Sequence, residues 1–90
     1  MKLGQLTATR GINAKLLRDS SFSKFVWESF ARYKNHDWGD LCEEDKQMND
    51  SAVKNGDDRI VARYNSDHGD IYVITEWDRS VTTILFTDEY

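Results

Sequence analysis

The spacing of apolar residues changes from a helical period to an alternating one near residue 59, and this change limits the fold to a mixture of helix and sheet. Before it, "SFSKFVWESFARYKN" repeats apolar or small residues three, four, seven, eight and eleven positions after Phe22. These offsets form one wide stripe on an α-helix. The stripe consists of Phe22, Phe25, Val26, Ser29, Phe30 and Tyr33. A helix over residues 21–34, capped by Ser21, is predicted.

Three short segments after residue 59 have the character of β-strands. "RIVARYN" and "VTTILFT" alternate apolar and polar residues, while "IYVITEW" is almost continuously β-branched and aromatic. The linkers "SDHGD" and "DRS" are short and polar, as turns are. Strands joined by such turns pair with their sequence neighbours and form a three-stranded antiparallel meander. The aromatic helix is the expected cover for its apolar face.

The remaining elements complete a predicted α+β fold, one domain spanning residues 1–90. An N-terminal extended segment over 4–11, ended by Gly11, precedes two to three helices and the C-terminal meander. The first helix lies in "INAKLLRDS", with Asn13 as its N-cap and Leu16 and Leu17 as core contacts. Ninety residues bury a modest core, and the aromatic rings, which include three tryptophans, are expected to supply much of it.

The stretch "HDWGDLCEEDKQMND", residues 36–50, is predicted to begin the third helix. Gly39 ends the preceding helix, Asp40 is the N-cap, and Glu43 reaches back to the Asp40 amide in a capping box. The helix dipole favours acids in the first turn, and three are present there: Glu43, Glu44 and Asp45. Gly56 ends the helix. Helix capping and the helix dipole thus account for many of the acidic residues in this stretch.

Charge is segregated along the chain. Residues 1–36 carry seven Lys and Arg against two acids, a balance of +5. Residues 37–58 carry eight acids against two lysines, a balance of −6, and residues 59–90 carry −3. A dipolar surface of this kind affects partner choice and association rate. A single cysteine and the lack of an apolar run of about 20 residues predict a cytoplasmic protein without a membrane segment.

Enzymatic chemistry is weakly supported by the residue pattern. His36, Cys42 and His68 lack the short spacing of zinc ligands, so no metal site and no cofactor are predicted. The alternative to a binding function is a small nucleic-acid-associated or nuclease-like protein that uses the acids of residues 70–79. The nuclease-like alternative lacks a general base, because Arg79, the nearby basic residue, stays protonated. Cys42 is expected to be a half-buried, unreactive thiol, since nearby acids raise a thiol pKa.

Nucleic acid is a disfavoured partner. The basic residues of positions 1–36 fall on several elements, and the pI is near 5.0, whereas phosphate binding requires a concentrated basic face. The acids of residues 37–58 instead form either a solvated helix face or a stripe that meets a basic protein surface.

Three segments, "KLGQLTATRG", "DWGDLCEED" and "ITEWDRSVTTILFTDEY", together resemble a family of short proteins from bacterial mobile elements. Its members carry plasmid-related or restriction-modification labels and no established activity, so the resemblance implies a setting rather than a mechanism. This chain departs from the family pattern at two positions. A smaller residue is usual in the family at the position of Trp77, and a proline is usual near Thr87. The implied function is a non-enzymatic accessory or inhibitor acting on a host or defence-system protein.

Helix capping does not require Trp38, which raises a hypothesis about its place. In one interpretation, Trp38 packs over the sheet edge near Trp77 or Arg79 and stays exposed beside Asp37. In the other, Trp38 closes the core. The predicted protein-binding residues are Asp37, Trp38, Asp40, Glu43, Glu44 and Asp45. A secondary candidate surface comprises Glu76, Trp77, Asp78 and Arg79. The expected partner is a protein with a basic surface.

Overall fold

A computed structural model describes the whole chain, Met1–Tyr90, as three helices and a four-stranded mixed sheet. The strands are β1 (Gln5–Ala8), β2 (Ile60–Tyr64), β3 (Ile71–Thr75) and β4 (Val81–Phe86). The helices are α1 (Arg10–Arg18), α2 (Ser20–Lys34) and α3 (Glu43–Asn55), and a 3-10 turn covers Thr87–Glu89. None of the helices has the length and apolar character that a bilayer crossing requires.

The sheet confirms the α+β class and corrects its topology. Strands β2, β3 and β4 form the expected antiparallel pairs. The N-terminal segment, however, is a fourth strand that lies parallel to β4, with Gln5 opposite Val81 and Ala8 opposite Ile84. The strand order is therefore β1-β4-β3-β2. The sequence rule that neighbours pair could not place a four-residue strand beside one 76 positions away.

The core lies between α1, α2 and one face of the sheet. The predicted alternation of β2 is confirmed, since Ile60, Ala62 and Tyr64 are all buried. The predicted stripe of α2 is also confirmed at its buried positions, which are Phe22, Val26, Ser29 and Tyr33. In α1 the buried residue is Ile12, while Leu17 is 91% exposed, so the prediction that Leu17 contacts the core is wrong.

Both N-terminal helices begin earlier than predicted. Thr9 caps α1 by accepting a hydrogen bond from the Ile12 amide at 3.3 Å. Asp19 caps α2 by accepting from the Phe22 amide at 3.0 Å. Asn13 and Ser21 therefore lie inside helices, and Gly11 lies in the first turn of α1 rather than ending a strand. A Thr or Asp one turn ahead of the apolar stripe is as good a cap as the residues chosen from sequence.

A chain of hydroxyl groups crosses the core from α2 to the N-terminal segment. The Tyr33 hydroxyl bonds the Thr75 hydroxyl at 2.7 Å, and Thr75 bonds the Thr82 hydroxyl at 2.7 Å. Thr82 also donates to the Leu3 carbonyl at 2.7 Å. Burial raises the pKa of Tyr33 to about 12. Every buried side-chain polar atom has a partner, so the polar groups of this core are satisfied rather than stranded.

The outer edge of β2 is covered by the chain that precedes it. The Asn49 side chain donates to the Val61 carbonyl at 2.9 Å and accepts from the Val61 amide at 3.3 Å, as a neighbouring strand would. Two residues further, the Arg63 amide donates to the Trp38 carbonyl at 3.3 Å and its carbonyl accepts from the Asp40 amide at 2.6 Å. This edge therefore presents no free backbone groups at Val61 or Arg63.

Candidate protein-binding groove

Asp37 is an anchor of the α2–α3 loop rather than a free surface acid. Its carboxylate accepts from Arg32 Nε at 2.8 Å and from the Gly39 amide at 3.1 Å. The hydrogen bond from the Arg32 guanidinium holds the pKa of Asp37 below its usual value. The backbone carbonyl of Asp37 also accepts from the Tyr64 hydroxyl at 2.7 Å. These contacts show that Asp37 has a structural role, which is to hold the α2–α3 loop in place.

Trp38 closes the core, as one of the two sequence-based alternatives proposed, and the hypothesis that it is exposed beside Asp37 is wrong. Its side chain is 2% exposed, and its indole N–H donates to an Asp50 carboxylate oxygen at 2.9 Å. The ring meets Tyr33 edge to face with centroids 5.4 Å apart, and His36 stacks on it at 5.3 Å. Large apolar rings gain most by burial, and the buried N–H has the partner it requires.

Asp40 does not cap α3. Its carboxylate accepts from the Asn65 amide at 2.9 Å, which ties the loop to the end of β2. The helix begins at Glu43, and Cys42 takes the N-cap position without a side-chain hydrogen bond. Cys42 is exposed, so the expectation of a half-buried thiol is wrong. The end of the helix is as predicted, with Gly56 in the left-handed conformation.

A groove of about 380 Å³ lies between α3 and the sheet face that α1 and α2 leave uncovered. Because side chains alternate along a strand, Val61 and Tyr72 point to this face, away from the buried Ile60 and Ile71. The groove is lined by Leu41, Asp45, Met48, Asn49, Asp58, Arg59, Val61, Tyr72 and Tyr90. Most of this lining is apolar, which is typical of binding clefts.

Aromatic rings and a flexible thioether form the accessible part of this groove. Tyr72 and Tyr90 meet edge to face with centroids 5.4 Å apart. The Arg59 guanidinium lies over the Tyr90 ring and donates to its hydroxyl. Met48, in the middle of α3, is 63% exposed. Methionine adapts its shape to a partner surface, and exposed tyrosine supplies area together with a polar tip.

The acids along α3 form no salt bridge, although Lys46 and Lys54 lie on the same helix. The structure has four salt bridges, Lys24–Glu28, Arg32–Asp37, Arg63–Asp70 and His68–Asp19, and none involves a residue of α3. The first-turn acids Glu43, Glu44 and Asp45 are exposed, as predicted from the helix dipole. Asp45 lines the groove itself, and Glu44 lines an adjoining hollow of about 400 Å³ together with Asp57 and Asp58. The result is an apolar groove with a negative rim.

The secondary candidate surface is mostly a structural turn between β3 and β4. The Arg79 guanidinium donates to the carbonyls of Asp58 at 2.6 Å and Ala52 at 2.9 Å, which joins this turn to the end of α3. Asp78 accepts from the Ser80 amide and hydroxyl at 3.0 and 2.6 Å. The Trp77 side chain is 65% exposed, and Glu76 lines a hollow that also includes Arg59 and Tyr90. Because Arg79 holds this turn and Trp38 is buried in the core, the two make no cation–π contact.

The acids of residues 70–79 do not converge. Asp70 precedes β3 and bonds Arg63 at 3.2 Å, whereas Glu76 follows β3 at its other end. Five intervening strand residues separate them by about 20 Å. No group of three His, Cys, Asp or Glu side chains in the chain is placed to hold a metal ion. The arrangement that a nuclease-like mechanism needs is not formed by these residues.

Comparison with known proteins leaves the groove as the main guide to function. No family model, curated protein or solved structure matches this chain. Of the groove residues, Asp45 belongs to the predicted binding residues and Asp58 to the predicted acidic stripe. Sequence reasoning did not indicate the others as site residues: Leu41, Met48, Asn49, Arg59, Val61, Tyr72 and Tyr90. The outward alternation of β2 and β3 could have indicated Val61 and Tyr72, but nothing local to the sequence brings Tyr90 back across the sheet.

The anchor role of Asp37 predicts a pH-dependent loss of stability. The pKa of Asp37 in the folded protein lies below its ordinary value of 3.8. The charged carboxylate therefore stabilises the fold fully above that pH, and this contribution disappears as the pH falls through the folded-state pKa. We expect Asp37→Asn to lower Tm by roughly 1–8 °C at pH 7, because exposed ion pairs contribute about 0.2–1 kcal/mol. The difference from wild type should shrink by pH 3. Circular dichroism melts at both pH values test this, and an equal difference at both would contradict it.

Proposed function

We propose that this chain is a non-enzymatic binding protein that holds a basic and apolar segment of another protein in the groove beside α3. The observation that carries the proposal is the combination of accessible Met48, Tyr72 and Tyr90 with a rim of acids that have no ion-pair partner. The apolar floor supplies affinity by burial, at about 25 cal/mol per Å². The rim selects lysine and arginine and speeds association.

Charge favours a basic protein segment over nucleic acid at this groove. Four carboxylates border the floor or its adjoining hollow, those of Glu44, Asp45, Asp57 and Asp58. A phosphate backbone would be repelled by them, since nucleic-acid binding depends on neutralising phosphates with basic side chains. Arg59, the one base in the lining, is occupied by its contact with Tyr90.

The resemblance to short proteins of bacterial mobile elements supplies a setting for this proposal. In that setting the partner is a host or defence-system protein, and the chain acts as its inhibitor or accessory. The proposed interface lies along α3 rather than on the α2–α3 loop, where the sequence predicted it. Asp37, Trp38 and Asp40 hold the scaffold, while Glu44 and Asp45 of the original set face the partner.

The test compares two variants with the same change in net charge. Asp45→Asn/Asp58→Asn neutralises the groove rim, while Asp67→Asn/Asp88→Asn neutralises two exposed acids that make no side-chain contact in the structure. Each immobilised protein is exposed to lysate of a bacterium that carries such elements, and the retained proteins are identified by mass spectrometry. The affinity of the enriched partner is then measured by calorimetry at 50 and 300 mM salt.

We expect the rim variant to weaken binding roughly 3- to 30-fold at low salt, because each exposed charge pair contributes about 0.2–1 kcal/mol. The control variant should bind as wild type does, and the effect of the rim should shrink at 300 mM salt. Equal affinity of the two variants, or a loss shared by both, would show that the groove rim does not contact the partner.

A further inference from the structure

The two edges of the sheet differ in how their backbone groups are used. On the β2 edge, Val61 and Arg63 are bonded by Asn49 and by the loop at Trp38–Asp40. The β1 edge has no such cover. The amides of Gln5 and Thr9 donate to β4 at Ser80 and Ile84, so by the alternation of a parallel ladder Leu6 and Ala8 point their backbone groups outward.

Only one of these outward groups has a partner. The Asn13 side chain donates to the Ala8 carbonyl at 3.4 Å. The amide and carbonyl of Leu6 and the amide of Ala8 face solvent along an edge that no other strand borders. An edge of this kind is a template for one more strand.

An apolar hollow of about 400 Å³ lies directly beside this open edge. It is lined by Leu6, Thr7, Ala8, Asn13, Leu16, Trp27 and Ile84. Leu6 is 39% exposed and Trp27 is 50% exposed, although both are residues that gain by burial. Side chains on alternate residues of an added strand would point into this hollow.

We propose that β1 receives an extended segment of a partner protein as a fifth strand, and that this segment has alternating apolar residues and acidic ends. The main-chain groups of Leu6 and Ala8 supply its hydrogen bonds. The hollow at Leu16 and Trp27 takes its apolar side chains. This is β-strand addition, in which the backbone gives affinity and the pockets give specificity.

Charge decides which occupant fits. Lys2 and Arg10 flank β1, and residues 1–18 contain no acid. The Glu89 carboxylate lies near the Arg10 end, where it accepts from the Thr9 hydroxyl at 2.8 Å and from the Phe86 amide at the end of β4. A second copy paired antiparallel about Leu6 would bring Lys2 of each copy toward Arg10 of the other, just beyond the two ends of β1, and like charges repel one another. A segment with aspartate or glutamate at its ends meets opposite charge at both positions. The occupant is therefore an acidic segment rather than another copy.

This inference does not rest on the groove at α3. The two surfaces belong to opposite edges of the sheet, three strand spacings or about 14 Å apart. They also have opposite charge preferences, since the groove selects bases and the β1 edge selects acids. A chain with both surfaces occupied would hold two partners at a fixed distance.

The test uses a defined nine-residue peptide, "DEVTVTVED", against its matched counterpart "KKVTVTVKK". Each is titrated into ¹⁵N-labelled protein while amide shifts and hydrogen exchange are followed by NMR. We expect the acidic peptide to shift and protect the amides of Leu6 and Ala8, and the basic peptide to bind roughly tenfold more weakly or not at all. Trp27→Ala and Leu6→Glu should each weaken the acidic peptide roughly tenfold, whereas Trp77→Ala, an exposed tryptophan elsewhere, should not.

Three results would overturn the inference. The acidic peptide could leave Leu6 and Ala8 unshifted at millimolar concentration, or the basic peptide could bind equally well. Sedimentation could also show a dimer of the free chain that Leu6→Glu dissociates, which would make a second copy the occupant. None of these results bears on the α3 rim variants, so failure here is distinct from failure of the groove.

Discussion

Gly39→Ala is expected to remove a large part of the stability of the native fold. The backbone of Gly39 has a φ of +76°, and a Cβ there would lie 2.0 Å from the Arg63 carbonyl oxygen and 2.7 Å from the Tyr64 ring. The left-handed conformation alone costs about 1–2 kcal/mol for a residue with a Cβ. The clash adds to this, because Arg63 must move and lose its bonds to Trp38 and Asp40.

The expected cost is about 4 kcal/mol or more, against a total stability of roughly 5–10 kcal/mol for a domain of this size. Thermal melts followed by circular dichroism should show Tm lower by about 20 °C or no transition at all. Gly56→Ala is the matched control, since Gly56 has a φ of +68° but no atom within 4 Å of the added Cβ. We expect the control to lose only about 4–10 °C. Equal losses in the two variants would contradict the importance of the contact with Arg63.

Trp38→Ala is expected to cause the second-largest loss. The substitution empties a core site that is 2% exposed, which costs about 3–5 kcal/mol for a large aromatic residue. It also removes the partner of the Asp50 carboxylate and the ring that packs against Tyr33. Urea denaturation should show a lower midpoint, with a free energy of unfolding reduced by about 3–5 kcal/mol.

Trp77→Ala supplies the comparison for this prediction. Trp77 is 65% exposed in the β3–β4 turn, and surface substitutions of this kind usually change stability by less than about 0.5 kcal/mol. An unchanged midpoint for Trp38→Ala, combined with lost partner binding, would return Trp38 to the interface. A large loss for Trp38→Ala alone would confirm its place in the core.

Elements with a strong period could be predicted from the sequence. The stripe from Phe22 to Tyr33 and the alternation from Ile60 to Tyr64 both repeat an apolar residue at the spacing that one buried face requires. Local signals also located the end of α3, because Gly56 was the residue able to adopt a left-handed conformation there. Such features depend only on neighbours in the chain.

Features that depend on distant contacts could not be predicted in the same way. The position of Trp38 depends on Asp50 and Tyr33, which meet it only after α3 packs against the sheet. Asn49 reads as a polar residue of an exposed helix, yet it completes the hydrogen bonding of β2. The candidate groove combines residues from α3, β2, β3 and the last residue, Tyr90. The spacing of residues in the sequence does not indicate that these distant residues come together.

The parallel pairing of β1 with β4 has a consequence for the order of folding. Gln5 pairs with Val81, so the contact must close a loop of most of the chain, whereas β2, β3 and β4 are joined by short turns. Closing long loops is slow because its entropy cost precedes any stabilising contact. We therefore expect the meander and α2 to associate first and β1, although it is synthesised first, to dock last. During synthesis β1 has no partner until β4 has been made, so the nascent chain carries an unpaired strand while the intervening residues 9–80 are added.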